Sequence, residues 1–216
     1  MKQLKVPFLN LLNKNSTMAE VSVHLNRLQK NLIDIAPWPA FAYKPLVSFS
    51  VAHSKDCLFI KYFVIEDNIR AVFRRTNDPV YRDSCVEFFI SFNDEETYYN
   101  LEFNSLGTCR FGFGKEKNQR QLLPEAVVRK IKRSAVLTIV PVPEEQPIVK
   151  WELTLKIPAK AFSFHNFANI NHQHCKVNFY KCGDDLPTPH YLSWNNIKAE
   201  EPDFHLPEYF GQVQFL

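Results

Sequence analysis

Glycine is scarce in this sequence. Its 216 residues include 5 Gly against 14 Pro. Phosphate-binding loops of nucleotide-binding proteins require several closely spaced glycines, so the sequence offers no P-loop and no dinucleotide fingerprint. The prolines fall mostly between apolar runs, where they end strands rather than interrupt them.

An excess of charge of one sign is also missing. The chain carries 26 basic and 23 acidic residues, for a net charge of +3. Its one basic run contains Arg129, Lys130, Lys132 and Arg133. Such a short run is more typical of a solvated strand face than of a nucleic-acid patch. We therefore expect no nucleic-acid partner.

Long apolar runs are absent as well. No stretch approaches the roughly 20 apolar residues of a membrane helix, so we expect no membrane partner. Pro7, Asn10, Asn13 and Lys14 interrupt the N-terminal apolar residues before a signal-peptide core can form. This pattern favours a cytoplasmic protein, although a chain trimmed of its signal would look the same.

The cysteines are odd in number and lack short paired spacings. They are Cys57, Cys85, Cys109, Cys175 and Cys182. Several lie in apolar runs, where a thiol packs as a small hydrophobic group, so disulfides are not required.

Histidines near these cysteines offer possible zinc ligands. The candidates are His172, His174, His190 and His205, together with Cys175 and Cys182. Their spacing matches no standard zinc site. We therefore assign no metal ligand and no cofactor from the sequence.

What the sequence has in abundance is period-two alternation of apolar and polar residues. The clearest run is 148–157, where Val149, Trp151 and Leu153 alternate with charged or polar residues; an alternating run of this kind indicates a half-buried strand. Similar runs occur at 46–52, 57–66, 70–74, 84–92, 97–103, 108–113, 135–140, 175–182 and 208–215.

About ten short strands separated by turn residues predict an all-β fold. We expect an antiparallel β-sandwich of two sheets, with jelly-roll or immunoglobulin-like architecture. Helix is minor, with weak signals at 22–32 and 159–162. The stretches 114–124, 163–174 and 183–207 are predicted to be loops. The whole chain, 1–216, is predicted to be a single domain.

Residues 78–90 carry a recognisable motif, Asp-Pro-Val-Tyr-Arg-Asp-Ser-Cys-Val-Glu-Phe-Phe-Ile. It resembles the signature of family 9 carbohydrate-binding modules and their DOMON-like relatives, in which a loop aromatic precedes an Asp-Ser and a Val-Glu strand. The order of the following strands agrees. The resemblance covers about 45–216, with 1–44 as an N-terminal extension packing on the sandwich.

The resemblance implies non-catalytic carbohydrate binding between two aromatic side chains. Counting back from Val86 puts Tyr81 at the first position, and counting back from Phe210 puts Phe204 at the second. Both replace the family's Trp. Glu87 and Asn100 match polar contacts of the family. The extra Cys85 leaves the register of Asp83 open, and although the family can hold structural calcium, no calcium ligand carries over.

The residue types suit a sugar, which presents apolar C–H faces and hydroxyl edges. Alternation places Asn100 and Glu102 on one face of a strand and Glu87 on the polar face of the preceding strand. If these two faces coincide, the three residues form one polar patch beside Tyr81.

Three further aromatic residues, Tyr180, Trp194 and Trp151, lie in or near the late strands and loops. Tyr180 could join the polar patch. Trp194 is either a core residue or a rim contact, and Trp151, on a uniformly apolar face, is predicted to be core. As loop residues, Tyr81 and Phe204 are expected to contribute little to stability.

Two other functions remain open. In a glycoside hydrolase the two carboxylates lie ~5–9.5 Å apart, whereas Asp83 and Glu87 would be about 13 Å apart in one strand. Glu87 and Glu102, across a hairpin, could be close enough.

A haem- or metal-binding DOMON-like domain would need Met or His ligands, but Met1 and Met18 precede the sandwich. The expected partner is a mono-, oligo- or polysaccharide, and the expected role is to support polysaccharide or glycan degradation. The oligomeric state is left open.

Overall fold

The computed structural model describes residues 1–143, 147–166, 169–170 and 173–216. It consists mainly of strands arranged in two sheets. The strands are β1 Gln3–Val6, β2 Asn31–Leu32, β3 Leu46–His53, β4 Cys57–Glu66, β5 Cys85–Phe92, β6 Tyr98–Asn104, β7 Cys109–Gly114, β8 Gln121–Leu122, β9 Lys132–Val140, β10 Ile148–Pro158, β11 Cys175–Cys182, β12 Tyr191–Ser193 and β13 Gly211–Phe215.

The sheets confirm the predicted β-sandwich. The first has eight strands in the order β1-β13-β11-β5-β6-β7-β8, with β12 added beside β11. The second has five strands in the order β2-β3-β4-β10-β9. All pairs are antiparallel except β1 with β13, which run parallel.

Apolar side chains of alternate positions fill the space between the sheets. On β10, Trp151, Leu153 and Leu155 point into this core, as the alternation predicted. Contact between the sheets is close, since Phe49 of β3 stacks on Phe179 of β11 with ring centroids 3.7 Å apart.

A buried ionic contact also joins the sheets. Lys181 Nζ of β11 lies 2.9 Å from Glu66 Oε2 of β4, and Trp151 Nε1 donates a 2.6 Å hydrogen bond to Glu66 Oε1. Trp151 is 1% exposed, which confirms its core position. The alternation did not reveal its polar partner.

The outer face of the five-stranded sheet is covered by helix α1, Met18–Asn26. A capping box begins this helix, because Thr17 and Glu20 bond each other's backbone N–H groups. On the sheet, Lys61 lies 2.6 Å from Glu152 and also donates to Asn26 of the helix. A second, one-turn helix, α2, spans Glu125–Val128.

Three expectations about elements were wrong. The stretches 114–124 and 183–207 were predicted to be loops, but they contain the short strands β8 and β12. Residues 70–74 are not a strand, because the N–H groups of Val72 and Phe73 bond the buried Asp83 carboxylate instead of a neighbouring strand. Residues 1–44 also contribute β1 and β2, each of which joins one of the sheets. In the described part of the chain, no helix is long and apolar enough to span a membrane.

Candidate functional site

A cavity of about 510 Å³ opens on the outer face of the eight-stranded sheet. Its size falls within the roughly 300–1,000 Å³ of typical small-molecule sites. It is lined by Tyr81, Glu87, Asn100, Glu102, Arg110, Lys117, Asn118, Arg120, Leu122, Cys182, Asp184, Tyr191, Pro202, Phe204 and His205. The lining therefore contains five of the seven predicted site residues, namely Tyr81, Glu87, Asn100, Glu102 and Phe204.

Strand register creates the floor of this cavity. Glu87 of β5 pairs directly with Glu102 of β6, and Asn100 is two residues away on the same face of β6. Their neighbours along the two strands, such as Val86 and Leu101, point into the core. Alternation thus brings Glu87, Asn100 and Glu102 together, as the sequence predicted.

Hydrogen bonds hold the floor in place. Asn100 Nδ2 donates to Glu102 Oε1 at 2.6 Å, and Arg120 Nε donates to Asn100 Oδ1 at 2.6 Å. Gly112 makes this arrangement possible, because a Cβ there would lie 2.5 Å from Asn100 Oδ1. Glu102 Oε2 has no hydrogen-bond partner among the described residues, so it is free to bind a ligand that reaches it.

Burial changes the protonation of both floor carboxyls. It raises the pKa of Glu87 well above its usual range, and the nearby Glu102 raises it further. Burial also raises the pKa of Glu102 to about 7, although Arg110 lowers it. A protonated carboxyl donates as well as accepts hydrogen bonds, which matches the dual character of a sugar hydroxyl.

Tyr81 and Phe204 both line the cavity, but they are held differently. Tyr81 lies on a single 3-10 turn, Val80–Arg82, and is 36% exposed. Phe204 is 8% exposed and stacks on Tyr180 with ring centroids 4.2 Å apart and planes at 9°. The expectation that Phe204 contributes little to stability therefore does not fit its burial.

Tyr180 and Trp194 lie outside the cavity lining. Tyr180 is fully buried beneath Phe204, and its hydroxyl donates to the Phe204 carbonyl, so it supports that wall from behind. Trp194 is 3% exposed and packs edge-on against Phe49 and Phe179 in the core between the sheets. Of the two alternatives for Trp194, the structure places it in the core.

Sequence reasoning missed the cationic part of the lining. Arg110 follows from alternation, since it pairs with Glu102 across β6 and β7. Arg120 comes from the predicted loop 114–124 and folds back so that its guanidinium carbon lies 4.2 Å from the Tyr98 ring centroid. No local pattern marks such a return. The same holds for Tyr191, which begins β12, and for His205, which reaches the cavity from a loop.

The predicted zinc candidates do not come together in the described residues. His172 lies outside them. His174 is near Asp94 on the surface, whereas Cys175 is buried in the core. His190 Nε2 lies 2.7 Å from Lys181 Nζ.

One cluster of potential metal ligands does occur in the described part of the chain. It consists of Cys85, Glu87 and Cys182. Two thiols do not fit calcium, which takes oxygen ligands, and we assign no calcium site.

The family model for carbohydrate-binding family 9 matches residues 18–215. The chain belongs to this family. The match starts earlier than the region of resemblance, 45–216, and so includes α1 and β2. No curated protein matches the chain.

Solved structures agree with the family assignment. A proposed carbohydrate-binding protein from Bacteroides uniformis is 36% identical, with a TM-score of 0.91, over 100% of this chain and 99% of that one. A family 9 module from Caldicellulosiruptor kristjanssonii in complex with glucose has 12% identity and a TM-score of 0.60, over 100% and 96% of the two chains. The cellotriose complex of a family 9 module from the same organism has 11% identity and a TM-score of 0.59, over 99% and 93%. At these low identities the last two show the shared fold.

Proposed function

We propose that the cavity binds one end or one unit of a carbohydrate and that the protein acts by binding rather than by catalysis. The proposal rests on one observation. Two aromatic residues from distant parts of the sequence line the same cavity, and the floor of that cavity is polar. Tyr81 and Phe204 were found by counting from motifs far apart in the chain, and both line the cavity above Glu87 and Asn100.

The chemistry of the cavity suits a sugar. Flat aromatic faces can pack against the C–H faces of a pyranose ring. Arg110, Asn100 and Glu102 supply donors and acceptors for its hydroxyls from one side of the cavity. Since most of these polar side chains are held by neighbours, little conformational entropy is lost on binding.

Glucose and short β-glucans are the first ligands to test, because related modules are known in complexes with glucose and cellotriose. A glycan array extends the search to other sugars. Both clamp positions replace a tryptophan with a smaller ring, so we propose a preference that differs from those modules.

Glycoside hydrolysis is the second candidate. Glu87 and Glu102 lie directly opposite each other, and directly paired residues have Cβ atoms about 4.5–5.5 Å apart. Their two raised pKa values could serve an acid and a base. We rank this function lower because Asn100 and Cys182 bond these carboxyls and no hydrolase motif accompanies them.

The proposal is tested by titration calorimetry with the best sugar from the array. Tyr81→Ala should weaken binding about 30-fold, or about 2 kcal/mol, because it removes one aromatic wall. Phe164→Ala is the matched control, since Phe164 is similarly exposed at 44% and does not line the cavity.

Equal affinity in wild type and Tyr81→Ala would contradict the assignment of this wall. Release of reducing sugar by pure protein, abolished in Glu87→Gln, would instead establish the hydrolase.

A further inference from the structure

We propose that Cys85, Glu87 and Cys182 form a binding site for a thiophilic divalent cation, zinc in particular, in the floor of the cavity. This inference does not depend on sugar binding.

Strand register brings the three side chains together. Cys85 of β5 and Cys182 of β11 are direct antiparallel partners, and Glu87 lies two residues along β5 on the same face. Their ligand atoms all lie within 4.8 Å of one another, with Cys182 Sγ 3.1 Å from Glu87 Oε1. A tetrahedral zinc ion at ~2.0–2.3 Å from each ligand needs ligand atoms about 3.5–3.8 Å apart. Small side-chain adjustments would satisfy this geometry.

The ligand types select the metal. Thiolates favour zinc and other thiophilic ions over magnesium or calcium. Binding releases three protons to solvent, one from each thiol and one from the Glu87 carboxyl, and leaves two thiolates and one carboxylate as ligands. Two thiolates and one carboxylate give a zinc site a net charge of −1, and Arg110, Lys117 and Arg120 of the same cavity offset it.

The position of the cluster gives the metal an open side. Glu87 and Cys182 line the cavity, whereas Cys85 lies behind them, fully buried. An ion held there by three protein ligands would have its fourth position toward the cavity, where water or another oxygen ligand can reach it.

Cobalt serves as the spectroscopic probe for this site. We expect one equivalent of Co²⁺, added to reduced, chelator-treated protein, to produce a thiolate-to-cobalt charge-transfer band in the near ultraviolet, and Zn²⁺ to remove that band by displacement. Cys182→Ala and Cys85→Ala should each lose about half of the band and bind at least about 100-fold more weakly. Cys57→Ala is the matched control because Cys57 is also buried but belongs to a different cluster, and it should keep the full band.

Two measurements keep the test decisive if a cysteine variant fails to fold. Glu87→Gln retains both thiols, so it should keep the band and bind about 10-fold more weakly or worse. In wild type, Zn²⁺ should slow alkylation of Cys85 and Cys182 and leave that of Cys57 unchanged. Absence of a charge-transfer band in folded wild type, or an unchanged band in Cys182→Ala, would overturn the proposal.

Discussion

Phe204 connects the cavity to the packing of the protein, so its replacement should change both stability and binding. Phe204 is 8% exposed and stacks on Tyr180, with further ring contacts to Trp38 and Tyr191. A buried Phe→Ala substitution costs ~3–5 kcal/mol. Because one side of Phe204 faces a cavity, we expect the lower end, about 3 kcal/mol.

For a chain of this length, that loss corresponds to a decrease of about 6–12 °C in melting temperature, which scanning calorimetry can measure. Tyr81→Ala should cost less than about 1 kcal/mol, because Tyr81 is on a surface turn. Both should weaken sugar binding.

Phe204→Leu separates the two roles. Leucine keeps most of the apolar volume, so it should cost less than about 1.5 kcal/mol of stability. It lacks a flat face, so sugar affinity should still fall about 10-fold, or about 1.4 kcal/mol. An unchanged melting temperature in Phe204→Ala would refute the packing argument, and full affinity in a folded Phe204→Leu would refute the stacking argument.

Two further predictions concern buried polar groups. Trp151→Phe should lower the free energy of unfolding by about 2–3 kcal/mol in chemical denaturation, because it removes a hydrogen bond to the buried Glu66 carboxylate; a loss no larger than that of an average surface variant would contradict this. The pKa of Glu102 is raised from 4.5 to about 7, so the folded state binds its proton more tightly than the unfolded state. The resulting stability is fully present below pH 4.5 and is lost as the pH rises through about 7. In chelator-treated protein, Glu102→Gln should therefore lose less stability than wild type between pH 5 and 8, and parallel stability curves would contradict the assignment.

The regular part of the fold could be predicted from the sequence because alternation is a local property. Alternation within β6 puts Asn100 and Glu102 on one face, and the register of β5 with β6 adds Glu87 to that face. By contrast, β1 pairs with β13, which lies about 200 residues later in the sequence. Local alternation cannot predict a contact between such distant segments. The run 70–74 alternates like a strand, but the Asp83 carboxylate satisfies its N–H groups.

The parts of the candidate site that could be predicted are those that lie on regular strands or next to the family motif. Tyr81 and Phe204 were located through the family motif, although the burial of Phe204 against Tyr180 was not. Loop residues such as Arg120 reach the floor through tertiary hydrogen bonds. The free thiols of Cys85 and Cys182 are close because β5 and β11 are neighbours in the sheet. Local sequence patterns do not reveal that order of strands.

The most direct test of the central claim is a heteronuclear NMR titration of the wild-type protein with the best sugar from the array. Binding in the cavity predicts saturable shifts that concentrate on the backbone amides of β5 and β6 around Glu87 and Asn100, and on the side-chain amide of Asn100. Saturable shifts elsewhere on the surface, with these resonances unchanged, would contradict the account.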